Sequence, residues 1–370
     1  MKKFVAVVIC ALASAASASA IPKTDVLLRS AARLSDLPAR RAVPTATVSA
    51  ARYQALTARA LEREYPRALQ SVDARLYARL GLAPWGVRAQ LVAEARGSRA
   101  WYDPDARKIF LRRAATPGRA RVIHELVRAL VDQNFNLRRL RGLRTHNRDA
   151  ALAAHAIVDG TAALASGVRA ERLRGTAVDR FLELEYSAGL GPGRALAAEL
   201  RYLGRRAGLR SALRRFPETT EQLLHVDKFL EREPALAVRL PSRIGELRLS
   251  TAETFGELDL RNLLNALGVP SAASLATGWG GGRIGLYLSG SGDAVAALVF
   301  RWDTHEDAVE WRTAVPAYVA AAFPDAVARD CPPLDRCWSS TNELSAGVLG
   351  ESSVFASGPG ADTVAAALLR

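Results

Sequence analysis

The chain has 370 residues, 49% of them hydrophobic, with 51 Lys and Arg against 37 Asp and Glu and a formal net charge of +14. That length and apolar content can bury two cores, which excludes a disordered polymer, and no run beyond residue 20 supplies the roughly 18 uncharged apolar residues of a membrane span. The positive charge admits nucleic acid or an anionic envelope surface as partners, but 46 of the cations are Arg, spread at helical spacing among Ala and Leu. With few stacking aromatics among them, no specific nucleic-acid surface is expected.

Met1-Lys2-Lys3, an apolar run from Phe4 and the small residues Ala18-Ser19-Ala20 before Ile21-Pro22 read as a secretory signal peptide cleaved at about Ala20. The mature protein is then secreted or extracytoplasmic, with net charge +12 once Lys2 and Lys3 leave. Cys10 follows Ile9, where lipoprotein processing needs a small side chain, so a lipid anchor is not expected. The two cysteines that remain, Cys331 and Cys337, fit a local disulfide; a metal knuckle would need further Cys or His close by.

From Ser49 to Arg96 the apolar spacing predicts helix, turn, helix, with the break at Leu82-Ala83-Pro84-Trp85-Gly86. Residues 100–111 read as a β-hairpin around Asp103-Pro104-Asp105. Thr116 is expected to cap a helix with Pro117 at its first position, and a second helix should run from Arg148 to about Ser166. Between them lies the densest basic run, Arg138, Arg139, Arg141, Arg144 and Arg148, a candidate anionic cell-envelope contact. Further Ala/Leu/Arg helices extend to Arg215.

Past Pro234 and Pro241 the composition shifts towards Gly, Ser and Val. Residues 283–288 and 294–302 are expected to pair as strands. Thr304 should cap a helix broken or kinked at Pro316, residues 347–356 read as one strand, and a last helix starts at Ala361. The expected fold is α+β: a mostly helical, zincin-like domain over 21–235, then a small antiparallel α+β domain over 236–370. Trp279, Trp302 and Trp311 are taken as core aromatics, His146 as a loop residue and His305 as a solvated first-turn residue.

The chemistry centres on His124-Glu125-Leu126-Val127-Arg128. In H-E-x-x-H two histidines one turn apart reach a single zinc ion, and the glutamate takes a proton from its water. Here Arg128 stands at the second histidine's place, and a guanidinium has no lone pair to give a metal. A lone His-Glu pair is weak, as His305-Glu306 shows, but this one lies between the hairpin and a second helix bearing His155 and Asp159.

In this setting the chain resembles a group of secreted bacterial H-E-x-x-H proteins classed as zinc metallopeptidases. Their helix, H-E-x-x-H-A-L-Q-D-Q-x-F-x-L, falls on residues 124–137, and their E-G-x-A on Asp159-Gly160-Thr161-Ala162. Their P-x-S-T-E-Q-x-L-H-P-x-K-Y falls on residues 217–229, and their far domain on Gly278-Trp279-Gly280-Gly281 and Trp302-Asp303 with Asp307-Ala308. The resemblance spans about residues 75 to 345. It implies a first zinc ligand at His124, a catalytic base at Glu125, a second ligand position at Arg128, an acidic ligand at Asp159, and a ligand or transition-state donor at His225. Asp159 is one methylene shorter than the group's glutamate, and Gly282 stands where the group tends to have Asp.

Three readings follow. In the first, Arg128 replaces the metal as the charge between Glu125 and Asp159, the cradle survives, and zinc and hydrolysis are lost. In the second, zinc is held by a relocated set, His124, His155 and Asp159, with Glu125 as base and His225 steadying the oxyanion. A polypeptide substrate would then align along the hairpin edge. In the third, the chain is an extracytoplasmic binding or scaffold module for a protein partner.

Overall fold

The computed structural model describes residues 24–82, 99–113, 117–169 and 176–369. The leader at 1–20, most of the turn expected at 82–86, and Thr116 lie outside them. The chain is α+β, with a mostly helical first part and an antiparallel sheet in the second.

The first part opens with α1 (Thr24–Ser35), β1 (Thr45–Val48), α2 (Ala50–Glu64) and α3 (Arg67–Arg79). Ser49 caps α2 by accepting the Arg52 N–H, and Pro66 separates α2 from α3, a break that the sequence reading had not placed. The expected hairpin is β2 (Ala100–Asp103) and β3 (Lys108–Arg112), but β1 pairs in parallel with β3, leaving β2 as an outer strand.

Next comes α4 (Arg119–Phe135), which carries His124, Glu125 and Arg128. Its cap is Gly118 and not Thr116, so Pro117 precedes the helix instead of opening it. Then follow α5 (Leu143–His146), α6 (Arg148–Ser166), α7 (Ala177–Tyr186), α8 (Pro192–Arg214), α9 (Thr220–Leu224) and α10 (Val226–Glu231). Helix α6 has the expected bounds because Asn147 accepts the Ala150 N–H at its start and Gly167, at φ +77°, ends it. Helices α6 and α8 cross closely at two glycines. A Cβ on Gly160 would lie 2.1 Å from the Gly193 carbonyl carbon, and one on Gly193 2.0 Å from the Ala156 oxygen. That approach explains why a glycine must follow Asp159.

The second part contains β4 (Arg243–Ile244), β5 (Leu247–Thr254), α11 (Glu257–Leu267), α12 (Ala272–Ala276), β6 (Trp279–Leu288), β7 (Ala294–Trp302) and α13 (His305–Ala322). It closes with β8 (Val327–Arg329), β9 (Arg336–Ser339), β10 (Glu343–Leu349), β11 (Ser352–Ser357) and α14 (Ala361–Leu368). The eight strands are ordered β4-β5-β6-β7-β11-β10-β9-β8, all antiparallel. Residues 347–356, read as one strand, are two, because Gly350 at φ +59° turns the chain. Helix α13 is not broken at Pro316, since Trp311, Val315, Tyr318 and Val319 bury it against the sheet on both sides of the proline.

Strand β7 is apolar at nearly every position because both faces of the sheet are covered. Leu298 and Phe300 face a core with α11 and α13, while Val295, Ala297 and Val299 face α14. The first of these cores also takes Tyr65, Leu76, Tyr77, Phe181 and Leu182. Helices α3 and α7 therefore pack with the sheet, and the cores do not divide at the composition shift near residue 235. Trp279, Trp302 and Trp311 are all within 2% of full burial. Cys331 and Cys337 form the expected disulfide, and among the described residues no helix is long and apolar enough to cross a membrane.

Candidate functional site

Val122, Ile123, Leu126, Val127, Leu130 and Val131 wrap most of α4 in apolar contacts, so His124 and Glu125 are carried into the interior, each 3% exposed. A buried carboxylate needs donors. Glu125 Oε2 accepts the Tyr102 N–H from β2 at 2.9 Å and Arg128 Nη1 at 3.3 Å, while Arg121 Nη1 stands 4.0 Å from Oε1. Arg128 Nε also lies 2.9 Å from Asp159 Oδ1 on α6, a close charge contact that is not aligned as a hydrogen bond. One guanidinium thus bridges the carboxylates that the sequence had singled out. Burial pulls Arg128 down, but Asp159 and Glu125 outweigh it and hold the guanidinium above its ordinary pKa.

The histidines are less settled. Among the described residues His124 Nδ1 is buried without a hydrogen-bond partner, and burial holds the ring below its ordinary pKa. His155, half-buried one turn before Asp159, is lowered by burial too, against the pull of Glu64 and Asp159. Among the described residues, Glu221, Glu233 and Asp303 form a group with ligand atoms within 4.8 Å of one another; His124, His155 and Asp159 do not. The edge of β2, where an extended peptide was expected to align, has its Tyr102 N–H committed to Glu125.

His225 is elsewhere engaged. It links α9 to α10, and its Nε2 lies 2.9 and 3.0 Å from the two Glu257 oxygens at the start of α11, a contact that raises its pKa. No hydrogen bond or ion pair joins it to His124, Glu125, Arg128 or Asp159.

The rest of the 217–229 motif ties the helical part to the sheet. Thr220 donates its hydroxyl to Asp149 and accepts the Leu258 N–H, and Gln222 donates to the Glu233 carbonyl. Lys228 Nζ pairs with Glu221, with Glu233 at 2.9 Å and with Asp303 at 2.6 Å, so an ammonium fills the acidic group that could otherwise take a cation. The Gly278–Gly281 motif serves the same joint. Leu236 N–H donates to the Gly280 carbonyl, and a Cβ on Gly281 would stand 2.1 Å from the Leu236 oxygen. Gly282 has no room for the aspartate found in the resembling group, since a Cβ there would meet Phe255 O at 2.4 Å.

The basic run is not the open anionic contact expected from sequence. Arg138 donates to the Asp105 carbonyl and Arg141 pairs with the Asp105 carboxylate. Arg144 lies over the Tyr65 ring, 3.1 Å from Glu185 and 3.6 Å from Asp73. Arg148 is 3% exposed and holds Glu185 at 3.0 Å and the fully buried Asp259 at 2.5 Å. Among the described residues neither Arg138 nor Arg139 pairs with a carboxylate, the Arg139 donors going to the Leu213 and Arg214 carbonyls. This charged seam was missed because its partners lie far apart in sequence; the only local signal was Arg144 and Arg148 at one-turn spacing.

Residues 243–367 match a family described as "Domain of unknown function (DUF8575)". Nothing among the curated proteins or the solved structures matches the chain. The match falls within the sheet part and includes neither His124 nor Asp159.

Proposed function

We propose that this chain is an exported, peptidase-like scaffold that has exchanged its metal for an internal cation and no longer hydrolyses peptides. The observation that carries the reading is Arg128, 3.3 Å from Glu125 and 2.9 Å from Asp159. A zinc ion needs lone pairs from at least three side chains. At this site one of the three positions offers none, and the acidic one is already countered by a fixed positive charge. The donors present therefore do not fit zinc. His124 Nδ1, buried and without a partner among the described residues, fits a position whose former bonding has been lost, since buried polar atoms are ordinarily satisfied.

The relocated set is the weaker reading, because its three groups are not gathered and His225 is held by Glu257. A scaffold role is supported by the other motif residues, whose visible partners serve the joint between the two parts.

A digest of casein or a peptide library by untagged protein tests the proposal. The expected result is no turnover. Chelator-sensitive cleavage that disappears in Glu125→Gln would overturn it.

A further inference from the structure

At the far end of α4 from His124, four guanidiniums line one open concavity of about 520 Å³: Arg41, Arg107, Arg139 and Arg214. Its lining includes the last turn of α4, with Asp132 as the one carboxylate, and Asn136 just beyond it. Among the described residues Asp132 makes no ion pair with these arginines. Its Oδ2 accepts the Tyr102 hydroxyl at 2.7 Å and its Oδ1 the Leu137 N–H at 2.8 Å.

The arms are placed, not merely exposed. Gln133 clamps the Arg41 backbone on both sides, accepting its N–H at 3.2 Å and donating to its carbonyl at 3.0 Å. Arg139 is pinned on the Leu213 and Arg214 carbonyls and lies 3.9 Å over the Phe216 ring, which also fixes the chain from which Arg214 projects. Arg107 sits in the left-handed region, φ +51°, at the β2–β3 turn. Among the described residues the side chains of Arg41, Arg107 and Arg214 have no hydrogen bond or ion pair. Arg128, Arg138, Arg141, Arg144 and Arg148, by contrast, are all tied down internally.

We propose that this concavity is a binding site for a phosphoryl group, carried by a free phosphorylated compound or by a lipid headgroup. Planar guanidiniums pair two-pronged with phosphate oxygens, and several around one opening favour a multiply charged ligand over a single carboxylate. The volume is that of a small-molecule site.

The test is calorimetric titration of the mature protein with tripolyphosphate at low ionic strength, where surface charge is least screened. Two triple variants are compared: Arg41→Gln/Arg107→Gln/Arg214→Gln, and Arg52→Gln/Arg59→Gln/Arg75→Gln, which removes the same charge from exposed positions of α2 and α3. One saturable site is expected on the wild type. Its affinity should fall by about tenfold or more in the first variant and less than about twofold in the second. Equal losses, or no saturable binding to the wild type, would overturn the proposal.

Should the first variant not fold, phenylglyoxal modification of the wild type read by mass spectrometry decides. Tripolyphosphate must protect Arg41, Arg107 and Arg214 but not Arg52 or Arg59, and protection of neither set overturns the site. Cosedimentation with phosphatidylglycerol vesicles separates the sources: displacement by tripolyphosphate assigns the headgroup, and no such displacement assigns the free compound.

Discussion

Arg128 and Lys228 each sit among carboxylates gathered from separate elements, yet they leave their surroundings in different states. Around Lys228 three carboxylates meet one ammonium, and the neighbouring Thr220, Gln222 and His225 are all hydrogen-bonded. Around Arg128 the carboxylates are countered, but among the described residues His124 Nδ1 has no partner and the Asp159 contact is misaligned. The joint at Lys228 keeps these neighbours hydrogen-bonded, though Glu221 Oε2 is buried without a hydrogen-bond partner among the described residues. A cation standing where a histidine is expected cannot do so for His124, because it supplies charge without supplying a lone pair or the right directions.

The comparison can be sharpened by removing the cations one at a time. The largest loss belongs to the seam, where Arg148→Met strands the buried Asp259 and Glu185; urea unfolding should register about 3–5 kcal/mol. A loss under about 1 kcal/mol would mean that these carboxylates are protonated or hydrated instead of paired. Lys228→Met comes next, at about 2 kcal/mol, because Glu221 is buried but Glu233 and Asp303 reach solvent.

Arg128→His should cost about 1 kcal/mol without metal and recover it when zinc is added, since the change restores an i, i+4 pair with His124. No zinc-dependent rise in Tm in that variant would break the proposed kinship between this cleft and a metal site. The smallest effect concerns pH. Asp149 is pushed up to about 7 by burial and by nearby Asp259, against the hydrogen bonds from Thr220. A carboxyl raised in the fold contributes fully below its unfolded value near 3.8 and loses that contribution as pH rises through about 7. Asp149→Asn should therefore flatten the decline of Tm over that window, and an unchanged slope would place the proton elsewhere.

Local signals carried much of the fold. Asn147 and Gly167 delimit α6, Thr304 caps α13, and the paired strands β6 and β7 contain the residues expected to pair. What escaped was long-range: β1 adding to the hairpin, α3 and α7 packing with the sheet, and the pairing of Arg148 with Asp259, 111 positions away. The candidate site was legible as a set of residues, because His124, Glu125 and Arg128 share one helix and Asp159 one packed against it. The role of His225 was not, since nothing near it in sequence announces Glu257. The motifs around it also read as chemistry when their visible work is to hold two parts of the molecule together.

The most direct measurement is metal content by mass spectrometry of wild-type protein purified without a metal-binding tag. The expected result is well below one zinc per chain, with Arg128→His binding the ion under the same conditions. Stoichiometric zinc in the wild type, lost on His155→Ala, would contradict the exchange of metal for arginine.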